Sequence, residues 1–178
     1  MRVVIASDIH GSAYYANKLK ERFIAEKADQ LILLGDIYYH GPRNDLSYEY
    51  DPQKVADILN SFWINIVCVK GNCDSEVDEM ISRFSFIENM ELFISGKKVY
   101  LAHGHKINWE FPHYYGDIVI FGHLHTGFIK KEKDVIIANA GSVSLPKNGT
   151  KNSYIVLTDD KIELKDIDGN LLESEAVY

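Results

Sequence analysis

Five short polar clusters, each directly after an apolar run, constrain this chain more than any other feature. They are Asp8-Ile9-His10, Gly35-Asp36, Gly71-Asn72-Cys73-Asp74, His103-Gly104-His105 and Gly122-His123-Leu124-His125. Runs such as Val3-Val4-Ile5-Ala6, Leu31-Ile32-Leu33-Leu34 and Ile118-Val119-Ile120-Phe121 carry no polar face. That pattern belongs to strands buried on both sides. In an open α/β sheet, ligands bind beyond the carboxyl ends of parallel strands. Polar residues that always follow a strand are therefore set to converge. Glycine within four of the clusters lets the backbone turn sharply and approach a ligand.

Strands are predicted at residues 3–6, 31–34 and 64–69, and helices at 12–27, 52–62 and 75–83. Ser12 suits the first helix as N-cap, and Pro52 suits the first turn of the second. Their alternation indicates a parallel sheet. Residues 38–51 have no period and read as a long functional loop. From about residue 85 the texture changes to short strands at 91–95, 98–103, 117–121, 128–132, 135–139, 153–158 and 161–166. Turns at Ser95-Gly96, Lys133-Asp134, Asp159-Asp160 and Asp168-Gly169 join some of them as hairpins. Two sheets sharing one core with helices outside is the natural assembly, and 178 residues suit a single domain over 1–178.

The net charge of −7 argues against a nucleic-acid polymer as partner. It leaves a small phosphate ester open, because a metal site brings its own positive charge. No apolar run is long enough to span a membrane. Cys68 and Cys73 are too few and too close for a disulfide framework, so a cytoplasmic protein with free thiols is expected.

The donor set is two aspartates, one asparagine and several histidines. It suits Mn, Fe or Zn better than Ca, which prefers all-oxygen cages. It is also too large for one ion. Two divalent ions sharing a bridging aspartate is the economical arrangement. Such pairs clamp a phosphoryl group and lower the pKa of a bridging water toward neutrality.

The five clusters, in this order, resemble the signature of the calcineurin-like metallophosphoesterases. So do the stretches Ala6–Ser12, His40–Asn44, Gly71–Asp78 and Gly141–Lys147. The resemblance implies a four-layer αββα sandwich of two mixed β-sheets flanked by helices. It implies one metal held by Asp8, His10, Asp36 and His125 and another by Asp36, Asn72, His103 and His123, with Asp36 as bridge. It further implies manganese as activating ion (zinc, iron or nickel serving as alternatives) and hydrolysis of small phosphodiesters with good leaving groups. Many family members place His directly after the motif asparagine. This chain has Cys73, a residue shared by one branch of the family, and a neutral thiol cannot supply an imidazolium's charge. A non-catalytic, retromer-subunit-like scaffold of the same fold is an alternative, as is a nuclease. A scaffold would be expected to have lost donors, and all seven are present.

Other residues carry two readings. His105 is a substrate or outer-shell donor, or merely solvated. Arg43 grips a substrate phosphate, or makes a structural ion pair. Asp74 orients Asn72 or, the favoured reading, caps the helix from Ser75. The tyrosines at 38, 39, 48, 50, 114 and 115 form a stacking wall, or pack and make a homo-oligomer interface.

Overall fold

The computed structural model describes residues Met1–Tyr178. The chain lays down β1 (Arg2–Ala6), α1 (Ala13–Ala25), β2 (Gln30–Leu33), α2 (Pro52–Asn60), β3 (Ile66–Val69), α3 (Glu76–Ile81) and β4 (Phe86–Ile87). Then come β5 (Met90–Ile94), β6 (Lys97–Ala102), β7 (Ile118–Phe121), β8 (Phe128–Glu132) and β9 (Val135–Asn139). The chain ends with β10 (Ser153–Thr158), β11 (Lys161–Asp166) and β12 (Leu171–Ala176). A seven-stranded sheet has the order β12-β11-β10-β1-β2-β3-β4, and a five-stranded sheet the order β5-β6-β7-β9-β8. Both are mixed. β1 to β4 run parallel while β10 is antiparallel to β1. β6, β7 and β9 run parallel, with β5 and β8 antiparallel at the edges.

Period-two alternation explains why the strands look uniformly apolar. Val4 and Ala6 of β1, Leu31 and Leu33 of β2 and Val156 of β10 face one way. They bury against Ala13, Ala16 and Leu19 of α1 and Val55, Ala56 and Leu59 of α2. Their neighbours Val3, Ile5, Ile32, Ile155 and Leu157 face the other sheet and meet Val99, Leu101, Ile118, Ile120 and Ala138. β1, β2 and β10 are thus buried on both faces, as expected for strands between layers, whereas β12 at the sheet edge is largely exposed.

The layer over the second sheet is thin. Val119, Phe121, Val135 and Ile137 are covered by Tyr100, Ile107, Tyr115 and Phe128. The helical part of that cover is one 3-10 turn, Pro112–Tyr114. No helix is long and apolar enough to cross a membrane.

Local differences from the sequence reading have local causes. The strand predicted at 64–69 starts at Ile66 because Trp63–Asn65 forms a 3-10 turn. The first helix begins after Ser12, whose Oγ accepts the Tyr15 N–H at 3.3 Å. β4 is two residues long and left no periodic trace.

Candidate metal centre

All five clusters meet along one edge, where the carboxyl ends of β1, β2, β3, β6 and β7 open. Asp8 and His10 follow β1, Asp36 follows β2 and Asn72 follows β3. His103 follows β6, and His123 and His125 follow β7. Five of these seven residues have left-handed backbone: Asp8 (φ 59°), His10 (46°), Asp36 (56°), His123 (63°) and His125 (57°). That conformation is uncommon outside glycine and costs of order 1–3 kcal/mol per residue. The turns need room as well. A Cβ on Gly122 would collide with Ser7 Oγ, and one on Gly71 with the Asp36 carboxylate.

Three imidazoles are aimed by backbone carbonyls. His10 Nδ1 donates to Tyr39 O at 2.7 Å, His103 Nδ1 to Leu34 O at 2.6 Å and His125 Nδ1 to Leu145 O at 2.7 Å. A carbonyl only accepts, so Nδ1 carries a proton, and whenever the ring is neutral it is Nε2 that is bare. Those bare nitrogens crowd other acceptors. His10 Nε2 lies 3.1 Å from His125 Nε2, which is 3.1 Å from Asp8 Oδ1. His103 Nε2 lies 3.0 Å from Asn72 Oδ1 and 3.2 Å from His123 Nδ1. Asp36 Oδ2 stands between the groups, 3.7 Å from His10 Nε2 and 3.5 Å from His103 Nε2.

Lone pairs at such spacing repel unless a cation sits among them. Asp8 Oδ1 is buried with no hydrogen-bond partner, although Oδ2 accepts the His123 N–H at 2.9 Å. Donors bound to one ion at ~2.1 Å stand roughly 3.0–3.4 Å apart. Asp8, His10 and His125 therefore offer one group of donors close enough to hold a cation, and Asp8, Asp36 and His103 another, with Asn72 Oδ1 and His123 Nδ1 beside His103 Nε2.

Electrostatics agree. Burial opposes charge on Asp8, but the adjacent His10 and His125 imidazoles hold its carboxyl well below the usual range. Burial pulls His103 down, yet its bond with Asp36 and the charges of Asp8 and Asp36 outweigh this and raise it to about 9.

The scaffolding around the donors comes largely from residues whose part was not evident in the sequence. Asp74 does not cap α3. Its carboxylate accepts the N–H groups of Asp36 (2.8 Å), Ile37 (2.9 Å) and Gly71 (2.7 Å), which staples two donor loops together. Asp78 instead accepts the Ser75 N–H at the start of α3. Asp74's buried position, ahead of those three bonds, pushes its pKa up to about 6. Ser142 and Ser144 donate to Asp8 O at 2.7 and 3.1 Å, and Asn139 donates to Gly122 O at 2.6 Å. The Gly-Ser-x-Ser at 141–144 was visible as a pattern but not as a clasp.

The remaining candidates lie at the rim. Cys73 is half-buried, its N–H donates to Asp36 Oδ1 at 2.8 Å, and burial with the nearby Asp36 charge pushes its thiol up to about 12. The exposed His105 ring lies 5.3 Å from that of His103, and burial and His103 lower its pKa. Arg43 lines a cleft of about 470 Å³ that also takes in Asp36, Asn72, Cys73, His123, His125 and Lys147.

The chain belongs to the calcineurin-like phosphoesterase superfamily, whose domain matches residues 1–161. Within it, the chain is 36% identical over 167 residues to phosphodiesterase YfcE of Escherichia coli K12, covering 92% of this chain and 91% of YfcE. The solved YfcE structure superposes with a TM-score of 0.94 at 33% identity over all of both chains. The probable metallophosphoesterase YsnB of Bacillus subtilis is 26% identical, covering 89% of this chain and 84% of YsnB. Zinc-complexed Vps29 of Entamoeba histolytica matches with a TM-score of 0.65 at 20% identity, over 99% of this chain and 98% of that one. At that identity the likeness is one of fold.

Proposed function

We propose that this chain is a phosphoric diester hydrolase acting on small phosphodiesters through two divalent cations, with Asp36 shared between them. Asp8, His10 and His125 complete one coordination shell, and Asn72, His103 and His123 the other. The single observation that carries this is the pair of bare imidazole nitrogens, His10 and His125 Nε2, 3.1 Å apart beside the partnerless Asp8 Oδ1. The relationship to YfcE supports the diester class. The nitrogen and oxygen donors suit manganese as the working ion, with zinc, iron or nickel compatible.

Divalent ions held by these residues would supply the Lewis acidity that activates water and offsets charge on the phosphoryl oxygens. The chain's own residues fix where this happens. Tyr39, Leu34 and Leu145 carbonyls lock three imidazoles in the binding tautomer. Asp74 holds the Asp36 and Gly71 loops at one distance. Cys73, a neutral thiol, brings no positive charge to the departing oxygen, which favours leaving groups that need none. The free thiols of Cys68 and Cys73 suit a reducing cytoplasm.

The test is Mn-supplemented hydrolysis of bis(4-nitrophenyl) phosphate beside metal analysis of the purified protein. Wild type is expected to bind two ions per chain and turn over. Asp36→Ala is expected to lose more than about 10³-fold in rate, since both shells lose a donor. Metal binding without turnover on any diester or monoester returns the scaffold reading.

A further inference from the structure

We propose that the cleft beside the metal cluster selects phosphodiesters with a second anionic group on one arm, held by Arg43 and Lys147. This rests on the reading above that the cluster takes the phosphodiester itself.

Arg43 and Lys147 are the basic side chains of the cleft wall. Neither has an acidic partner, whereas exposed lysines such as Lys18 and Lys151 pair with Asp168 and Asp166. Several surface cations lack an acidic partner, but Arg43 and Lys147 are the ones that line the cleft beside the candidate donors. The carboxylates nearby are not free to neutralise them. Asp36 is engaged by Cys73 N–H and turned to the imidazoles, and Asp74 accepts three backbone N–H groups. An anionic group on the ligand would meet both cations there.

Both residues stand on fixed backbone. The His40–Asn44 turn is cinched by Asn44 Nδ2 donating to His40 O at 2.8 Å, with Gly41 in left-handed backbone at φ 79°. Lys147 N donates to His125 O at 2.8 Å, so its position is tied to that of a candidate metal donor. A planar guanidinium and a lysine ammonium lining one cleft can hold a carboxylate or phosphate by charge-assisted hydrogen bonds. Two neutral arms would leave both cations unmatched.

The test compares two non-hydrolysable probes by calorimetry on the Mn-loaded protein. Butylphosphonate carries only the metal-seeking group, and 4-phosphonobutyrate adds a terminal carboxylate. Wild type is expected to bind 4-phosphonobutyrate about tenfold more tightly, or about 1.4 kcal/mol. In Arg43→Gln and in Lys147→Gln that ratio is expected to fall to about twofold or less. The ratio is taken within each variant, so partial misfolding does not mimic the result. Equal affinities in wild type, binding of neither probe, or a ratio that survives both substitutions would overturn the proposal. Hydrolysis of bis(4-nitrophenyl) phosphate by the same preparation reports separately on the underlying reading. Preference without turnover sinks hydrolysis and keeps the anion subsite; turnover without preference does the reverse.

Discussion

The loops after β1, β2 and β3 deliver Asp8, Asp36 and Asn72, all oxygen donors, with one imidazole, His10. The loops after β6 and β7 deliver His103, His123 and His125, nitrogen only. The two halves are also held differently. On the oxygen side Asp74 gathers three backbone N–H groups, two serines clasp Asp8 O, and α1 and α2 cover the outer face of the sheet. On the nitrogen side Asn139 reaches Gly122 O, and the outer cover is a thin segment with one 3-10 turn. Asp74 thus ties the loops after β2 and β3 together within one sheet. The nitrogen side packs on the other sheet through Leu101, Ile118 and Ile120 and bonds to it through His103 Nδ1 on Leu34 O and His123 N–H on Asp8.

Asp74→Ala gives the sharpest break in that comparison. It orphans three backbone N–H groups, at about 1–3 kcal/mol each. A loss of more than about 3 kcal/mol in denaturant unfolding is expected, together with reduced metal binding. Asp74→Asn, which keeps an acceptor oxygen, should cost less. A cost near 1 kcal/mol for Asp74→Ala would be that of a lost helix cap and would restore the cap reading.

His123→Asn comes next. In the proposed assignment His123 Nδ1, 3.2 Å from His103 Nε2, is a donor of the second site together with Asn72 and His103. The variant is expected to retain one Mn per chain instead of two and to lose about 10²-fold in diester hydrolysis. His125→Asn should likewise leave one ion, now in the other cage. Loss of both ions from either variant would mean that the cages are not separable.

Asn139→Ala is smaller again. It removes the bond to Gly122 O and the one accepted from Gly141 N at 2.8 Å. About 1–3 kcal/mol is expected. A cost equal to that of Asp74→Ala would show the two halves to be stapled alike.

How much of this was legible follows from the same physics. β1, β2 and β7 were readable because both faces are buried and the runs are unbroken. The seven candidate donors were legible as clusters because each follows an apolar run. The parallel pairing of β6, β7 and β9 was not, since hairpin-like turns at Ser95-Gly96 and Lys133-Asp134 report only edge connections. Asp74 was misread because a carboxylate before Ser75 looks like a cap; its true partners, Asp36 and Ile37, lie 38 and 37 residues away. Left-handed backbone at Asp8 and His123 leaves no trace in composition, because the residues there are chosen as donors and not for conformation. Lys147 was unreadable for the same reason as Asn139: its role exists only across loops.

The gentlest test uses protons. A cluster of acceptors this tight holds positive charge either as protons or as metal. In the metal-free protein His103 titrates at about 9, against an ordinary value of 6.5, because Asp36 and Asp8 outweigh the burial penalty. A raised imidazole pKa stabilises the fold below about pH 6.5, and that contribution fades as pH climbs through about 9. His10 is shifted the same way: burial opposes it, but its bond to Asp8 and that carboxylate's charge prevail. Metal needs the bare nitrogen, so binding must expel those protons. Mn titrations at pH 7 in buffers of different ionisation enthalpy should therefore show release of about one proton or more, falling toward half of that at pH 9. Asp36→Asn, which removes the carboxylate charge at His103, should shrink the release at pH 7. Release that ignores both pH and Asp36 would mean that the nitrogen half does not feel the oxygen half, and the two-sided site would reduce to a chance meeting of loops.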